Sequence, residues 1–149
     1  MKRTTGTIVA IVAMGCMTYA SAKGRDDHIK LPIQGALEKG QSYKEKVGSD
    51  IRMFWGSQKT PAVDRKMGEF TSNKKTNAAN KSDQEACDIA FISAVISLQQ
   101  RARKEGGNAV VNIHSVYKNE DSDSPSEFIC GAGKIMAGVA LRGTVVKLK

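Results

Sequence analysis

The chain has two histidines and three cysteines among 149 residues, and that scarcity excludes most metal chemistry. His28 and His114 stand far apart, and no C-x-x-C or H-x-x-H spacing makes a zinc site with Cys87 and Cys130. Long apolar runs are also missing. A membrane-crossing helix needs about 20 apolar residues, and the N-terminal run within "TTGTIVAIVAMGCM" is shorter than that. No internal repeat and no low-complexity tract is present. There is no G-x-S-x-G elbow to expose a nucleophilic serine. Ser115 beside His114 makes no dyad, because neighbours on a strand face opposite ways.

Two glycine-containing stretches suggest phosphate binding and fail on geometry. A phosphate cradle needs its glycines before a helix, where free N–H groups and the positive dipole end meet the anion. Gly106-Gly107 follows a helical run, so it reads as the joint between a helix and a strand. In "GAGKIMAG" the pair Gly133-Lys134 is present, but Ile135 replaces the hydroxyl residue and Phe128 stands where the first glycine belongs. No nucleotide and no other cofactor is expected. The acidic stretch Glu120-Asp121-Ser122-Asp123 begins like a calcium loop. Pro125 and Ser126 then stand where its glycine should fall, and the twelfth-position Glu is absent. It reads as a solvated hairpin tip.

What is present begins with the N-terminus. Met1-Lys2-Arg3, an apolar core of about ten residues and Ala20-Ser21-Ala22 have the layout of a cleaved export signal. Residues 1–22 are therefore read as a signal peptide and 23–149 as one domain. An alternative is lipid modification at Cys16 behind Ala13-Met14-Gly15, although Ala13 and Met14 match that pattern poorly. Without Cys16, Cys87 and Cys130 remain as an even pair in an exported chain, and a disulfide is the expected pairing. It also removes a cysteine nucleophile.

Lys2 and Arg3 are the only charges in the leader. With 23 Lys and Arg against 15 Asp and Glu in all, residues 23–149 carry +6. Residues 57–81 concentrate Lys59, Arg65, Lys66, Lys74, Lys75 and Lys81 against only Asp64 and Glu69, and these six are candidate anion contacts. No acid follows Glu127, while Lys134, Arg142, Lys147 and Lys149 do. Trp55, Phe54 and Tyr43 offer a stacking surface near the basic segment, although core packing accounts for most of them.

The strongest structural signal is "SDQEACDIAFISAVISLQQRARKEGG". Ser82 and Glu85 have capping-box spacing, and Ala86, Cys87, Ala90, Phe91, Ala94, Val95, Leu98 and Ala102 keep a helical period over about 83–105. Ile89, Ile92 and Ile96 widen the apolar face, so the helix should be buried. Glycine then supplies a left-handed stop. "DHIKLPIQGALEKG" reads as one short apolar element and a turn. "DIRMFWG" reads as a strand, "GSQKTPAV" as a loop, and "GEFTSNKKTN" as a solvated strand. "NAVVNIHSVY", "EFICGAG" and "GVALRGTVVKL" read as three successive strands. The fold class is α+β, a mostly antiparallel sheet packed by one long helix and stapled from helix to strand.

From "GEFTSNKKTNAANKSDQEACDIAFISAVISLQQRARKEGGNAVVNIHSVYKN" through "FICGAGKIMAGVALRGTVVKL", the chain resembles a family of small exported proteobacterial proteins often labelled "excinuclease ATPase subunit-like". A true excinuclease subunit carries nucleotide loops and zinc modules that this chain lacks. The helix–glycine–strand unit "RARKEGGNAVVNI", with Cys130 and a last strand, is more distantly similar to the family of the Rcs envelope-stress lipoprotein sensor and to YbjQ-like domains. That resemblance implies a small α+β sheet fold that binds a partner and does not catalyse.

The expectation is a non-catalytic periplasmic or secreted protein of the cell envelope, with no integral span once processed. Its partner would be an envelope protein or an anionic envelope polymer. A polyanion or nucleic-acid binder is the alternative, and a periplasmic hydrolase the second alternative. Intact mass of the exported protein should place its first residue at Lys23. A diacylglyceryl increment on Cys16 would instead show a lipid-anchored form.

Overall fold

The computed structural model describes residues 24–43 and 47–149, so the segment expected to be a signal peptide, its expected cleavage site and Cys16 lie outside the described residues. In chain order the elements are β1 (Asp27–Pro32), α1 (Ile33–Gly40), β2 (Arg52–Trp55), β3 (Val63–Asn77), α2 (Asp83–Glu105), β4 (Ala109–Tyr117), β5 (Glu120–Ser122), β6 (Glu127–Ala132) and β7 (Met136–Leu148). The fold is α+β, as expected: one curled sheet with the long helix packed on it.

The α2 boundaries follow from their caps. The Ser82 hydroxyl accepts the Glu85 N–H at 3.1 Å, a cap worth about 1 kcal/mol. Asp83 and Glu85 occupy the first turn, and Arg103 and Lys104 the last, where each sign suits the helix dipole. Gly106 stops the helix at φ 79°, a left-handed conformation that costs a glycine little. The Gly107 N–H returns to the Ala102 carbonyl at 2.8 Å, and β4 starts two residues later. The glycine pair is the joint between helix and strand.

β7 is the strand that organises the sheet. β3 pairs antiparallel along its whole length on one edge, from Val63 opposite Leu148 to Asn77 opposite Met136. The other edge is shared by β6 at its start, through Gly131–Gly138 and Ala132–Ala137, and by β4 further on. β1 lies outside β6, while β2 and β5 lie outside β4. All pairings are antiparallel except β2 with β4.

Behind the sheet, α2 buries Ala90, Phe91, Ala94, Val95, Leu98 and Ala102 against Val110, Ile113, Phe128, Val139, Leu141 and Val145. Phe91 stacks on Phe128 with centroids 4.1 Å apart, and Trp55 tilts against Phe91 at 5.4 Å. Such aromatic pairs add about 1 kcal/mol to the burial itself. One helical turn before Phe91, Cys87 is bonded to Cys130, with Cα atoms 5.9 Å apart. Two polar residues of α2 are buried with purpose. Gln99 accepts the Gly48 N–H and donates to the Gly48 and Ile51 carbonyls, which holds the loop before β2. Asp88, 1% exposed, receives Lys39 from α1 at 3.0 Å.

Several elements differ from the sequence reading. "DHIKLPIQGALEKG" is a strand followed by the helix α1, with Pro32 at the junction serving as its N-cap. The Ile33, Ala36 and Gly40 spacing buries one helical face. Gly40 sits so close to Ile92 that a Cβ there would meet its Cδ1 at 2.4 Å. β3 begins at Val63, inside the segment read as loop and strand boundary, because β7 supplies a partner that far along. The acidic stretch is not the tip of its hairpin. The tip is Lys118-Asn119, with Lys118 at φ 45°, and Glu120–Ser122 form β5. β6 does not pair with the preceding β4, since β7 bonds to both. Trp55 is buried, and Phe54 and Tyr43 pack against core clusters, so the three form no stacking surface.

Cys87→Ala should cost about 2–5 kcal/mol of stability in chemical denaturation, because the bond closes a long loop of the unfolded chain. The native oxidised protein should show no thiol from either cysteine by titration.

Candidate functional site

The six candidate anion contacts lie along or beside β3, and the length of that strand divides them. Arg65 and Lys66 pair beside Lys147 and Val146, and Lys59 precedes them on the loop. Lys74 and Lys75 pair with Val139 and Gly138, and Lys81 precedes α2. Seven residues of strand, Met67 to Asn73, separate the two groups, about 26 Å at the usual rise. Glu69 lies 3.7 Å from Arg142 between them. The two basic segments of the sequence do meet, at both ends of one strand pair and not as one patch.

At the Lys75 end the hairpin joining β6 to β7 carries Gly133-Lys134-Ile135, the middle of "GAGKIMAG". It leads from strand to strand, with the Gly133 N–H bonded to the Met136 carbonyl at 2.9 Å. The segment after β3 braces it, as the Ala78 N–H reaches the Ile135 carbonyl at 2.7 Å. Ile135 is 68% exposed and Met136 47%, the exposed large hydrophobics among the described residues. Two cavities flank this tip and share Arg25, Gly133, Lys134 and Ile135. One, of about 420 Å³, also takes in Lys75, Tyr117 and Gly138. The other, of about 560 Å³, takes in Lys81 and Asp83.

Tyr117 forms a wall of the first cavity, on the sheet face away from α2. A Cβ on Gly131 would stand 2.1 Å from its hydroxyl, so only glycine lets the ring lie against β6 there. The hydroxyl donates to Asp26 at 3.3 Å, and the ring meets the edge of His28 with centroids 5.1 Å apart. Burial, then the Asp26 charge, raises the Tyr117 pKa above its ordinary value. Asp26 is held below the usual carboxylate range mainly by its hydrogen bond to Lys118. His28 Nδ1 in turn lies 2.7 Å from Glu120.

The charges around the tip are unequally matched. Arg25 is taken by Asp27 at 2.5 Å and by Asp83, and Lys118 by Asp26. Lys75, Lys81 and Lys134 have no ion pair among the described residues. The carboxylates lining the cavities are thus occupied, while three ammonium groups stay available around two exposed apolar side chains. This arrangement suits holding an anionic, partly apolar surface.

Elsewhere the polar groups have structural work. The Ser115 hydroxyl is buried and accepts the Ile129 N–H at 2.9 Å. His114 Nδ1 instead lies 2.8 Å from the Asn112 carbonyl. Among the described residues no cluster of three His, Cys, Asp or Glu is placed to hold a metal ion. No helix there is long and apolar enough to cross a membrane. Sequence reasoning reached Lys75 and Lys81 but missed Lys134, Ile135, Met136 and Tyr117 as parts of a site. The available signal was an exposed "KIM" between two glycine-rich strand ends, which reads as a hairpin tip carrying apolar residues. In comparisons with known proteins, no family model matches the chain, and no curated protein matches it either.

Gly131→Ala should push Tyr117 off the sheet. The hydroxyl then loses Asp26, and a spectrophotometric titration should show one tyrosine moving down toward the ordinary value near 10. The same variant should lose about 1–3 kcal/mol from the overpacked contact.

Proposed function

We propose that this is a non-catalytic exported protein of the cell envelope that binds a partner through the β6–β7 end of its sheet. The observation that carries the reading is the tip itself: Ile135 and Met136 exposed beside two cavities, within reach of Lys75, Lys81 and Lys134. Among the described residues the other large apolar groups are buried or half-buried, and leaving two exposed at one hairpin favours contact there. The Cys87–Cys130 disulfide fits an oxidising compartment, and the leader-like N-terminus supports export. The resemblance to small exported proteins and to the envelope-stress sensor family supports a binding role over a catalytic one.

A second reading is polyanion binding, favoured by the two basic ends of the β3–β7 pair. Its affinity would come from released counterions and would fall steeply as salt rises. The two readings separate in one set of measurements. A photo-crosslinker at position 135 in living cells should capture an envelope component, and one at exposed Gln58, beyond the far end of β3, should not. Binding to a soluble polyanion should be weak at low salt and vanish near physiological salt. Lys75→Ala should lower the salt slope by about one unit and Lys74→Ala by less, because only Lys75 lines the cavity. Tight DNA or lipopolysaccharide binding at physiological salt would promote the second reading over the first.

A further inference from the structure

We infer that the β6–β7 tip docks onto an anionic bilayer surface, with Ile135 and Met136 entering the headgroup boundary and Lys75, Lys81 and Lys134 resting on the lipid phosphates. This rests on the envelope-binding reading and names the chemistry of its partner.

Three observations favour a bilayer over a protein. The exposed apolar pair is non-aromatic and set on a hairpin turn, whereas protein hot spots favour Trp, Tyr and Arg seated in pockets. The cations around it are lysines, which are depleted at protein interfaces. Long lysine stems instead suit a membrane boundary, where the stem lies along apolar material and the ammonium stays in the polar layer. The charge is also complementary. Asp26 and Asp83, the carboxylates lining the cavities, are held by Lys118 and Arg25, so no free acid there opposes an anionic surface.

The chain direction agrees. Gly24 lines the first cavity, so residues 1–23 join the domain at this end. If Cys16 carries a lipid, the eight residues from it to Gly24 reach at most about 28 Å, which tethers the lipid on the same side. Two aliphatic side chains hold a bilayer weakly by themselves, since even one myristoyl chain gives marginal binding. The contact must therefore be reversible and depend on lipid charge.

The test uses the oxidised protein as the cell processes it, with vesicles of phosphatidylglycerol and phosphatidylcholine in equal parts, or of phosphatidylcholine alone. Co-sedimentation should occur with the anionic vesicles and be much weaker with the neutral ones. Lys75→Ala and Lys134→Ala should each weaken it about fivefold, and Ile135→Asp about tenfold or more. Lys66→Ala, at the far end of β3, should leave it unchanged. Circular dichroism and thiol titration check that each variant is folded and oxidised. Ile135→Trp adds a reporter whose emission should shift to the blue only on anionic vesicles, with buried Trp55 as a constant background. Equal binding to both vesicles overturns the inference. So does anionic binding that ignores Ile135 and leaves the reporter unshifted, which points to charge alone. A protein crosslinked at position 135 without vesicle binding overturns the lipid partner and leaves the envelope-binding reading standing. A protein that is never exported overturns both.

Discussion

The attachment of α2 to the sheet at Cys87 and Cys130 is the constraint on which the remaining structure depends. A covalent bond there fixes helix and β6 at one point, and the Phe91–Phe128 stack one turn further on fixes their rotation. With those set, each later turn of α2 meets a definite part of the sheet. Leu98 and Ala102 reach the β4–β7 core, Gln99 reaches the loop before β2, and Arg103 reaches Asp50 through two bonds of 2.7 Å. Because β6 is held from behind, its forward end can project as a hairpin without help from a second layer. The available cations and apolar side chains gather at that end.

The division of labour between the two sheet faces follows. The α2 face is closed by the main core. The opposite face is covered only by small clusters, Tyr117 with Ile129 and Ala140, and Ala109 with Val146 and Leu148. Small residues and polar pairs occupy the rest, and a wall of one tyrosine suffices to shape a cavity there. The candidate site thus lies where packing demands least.

Parts of the fold were legible in the sequence because local and global preferences agreed. α2 announced itself through Ser82, its apolar period and Gly106, and β4, β6 and β7 through β-branched runs between turns. α1 was hidden by Pro32, Gly35 and Gly40, whose spacing looks like a turn until Ile92 is seen to fill the space over Gly40. The start of β3 was hidden because an edge strand is solvated, so Asp64, Arg65 and Lys66 break any alternation. The site was half legible. Lysine density pointed to residues 57–81, but the separation of Lys66 from Lys75 depends on pairing register with β7. Tyr117 meets Gly131 only through that register as well. Ile135 and Met136 carry no periodic signal, and their exposure is a property of the hairpin, not of the residues.

Among the described residues the outer edge of β3 is unpaired, and that has its own consequence. A bare fifteen-residue edge is a template on which a second copy could add its own β3 and join the two sheets into one. A two-fold antiparallel pairing centred on Phe70 would set Lys66 opposite Lys74 and Arg65 opposite Lys75, cation against cation, while Gly68 at φ 120° bends the strand out of register. The same cations that make β3 basic therefore oppose the knitting of two neighbouring sheets along this edge.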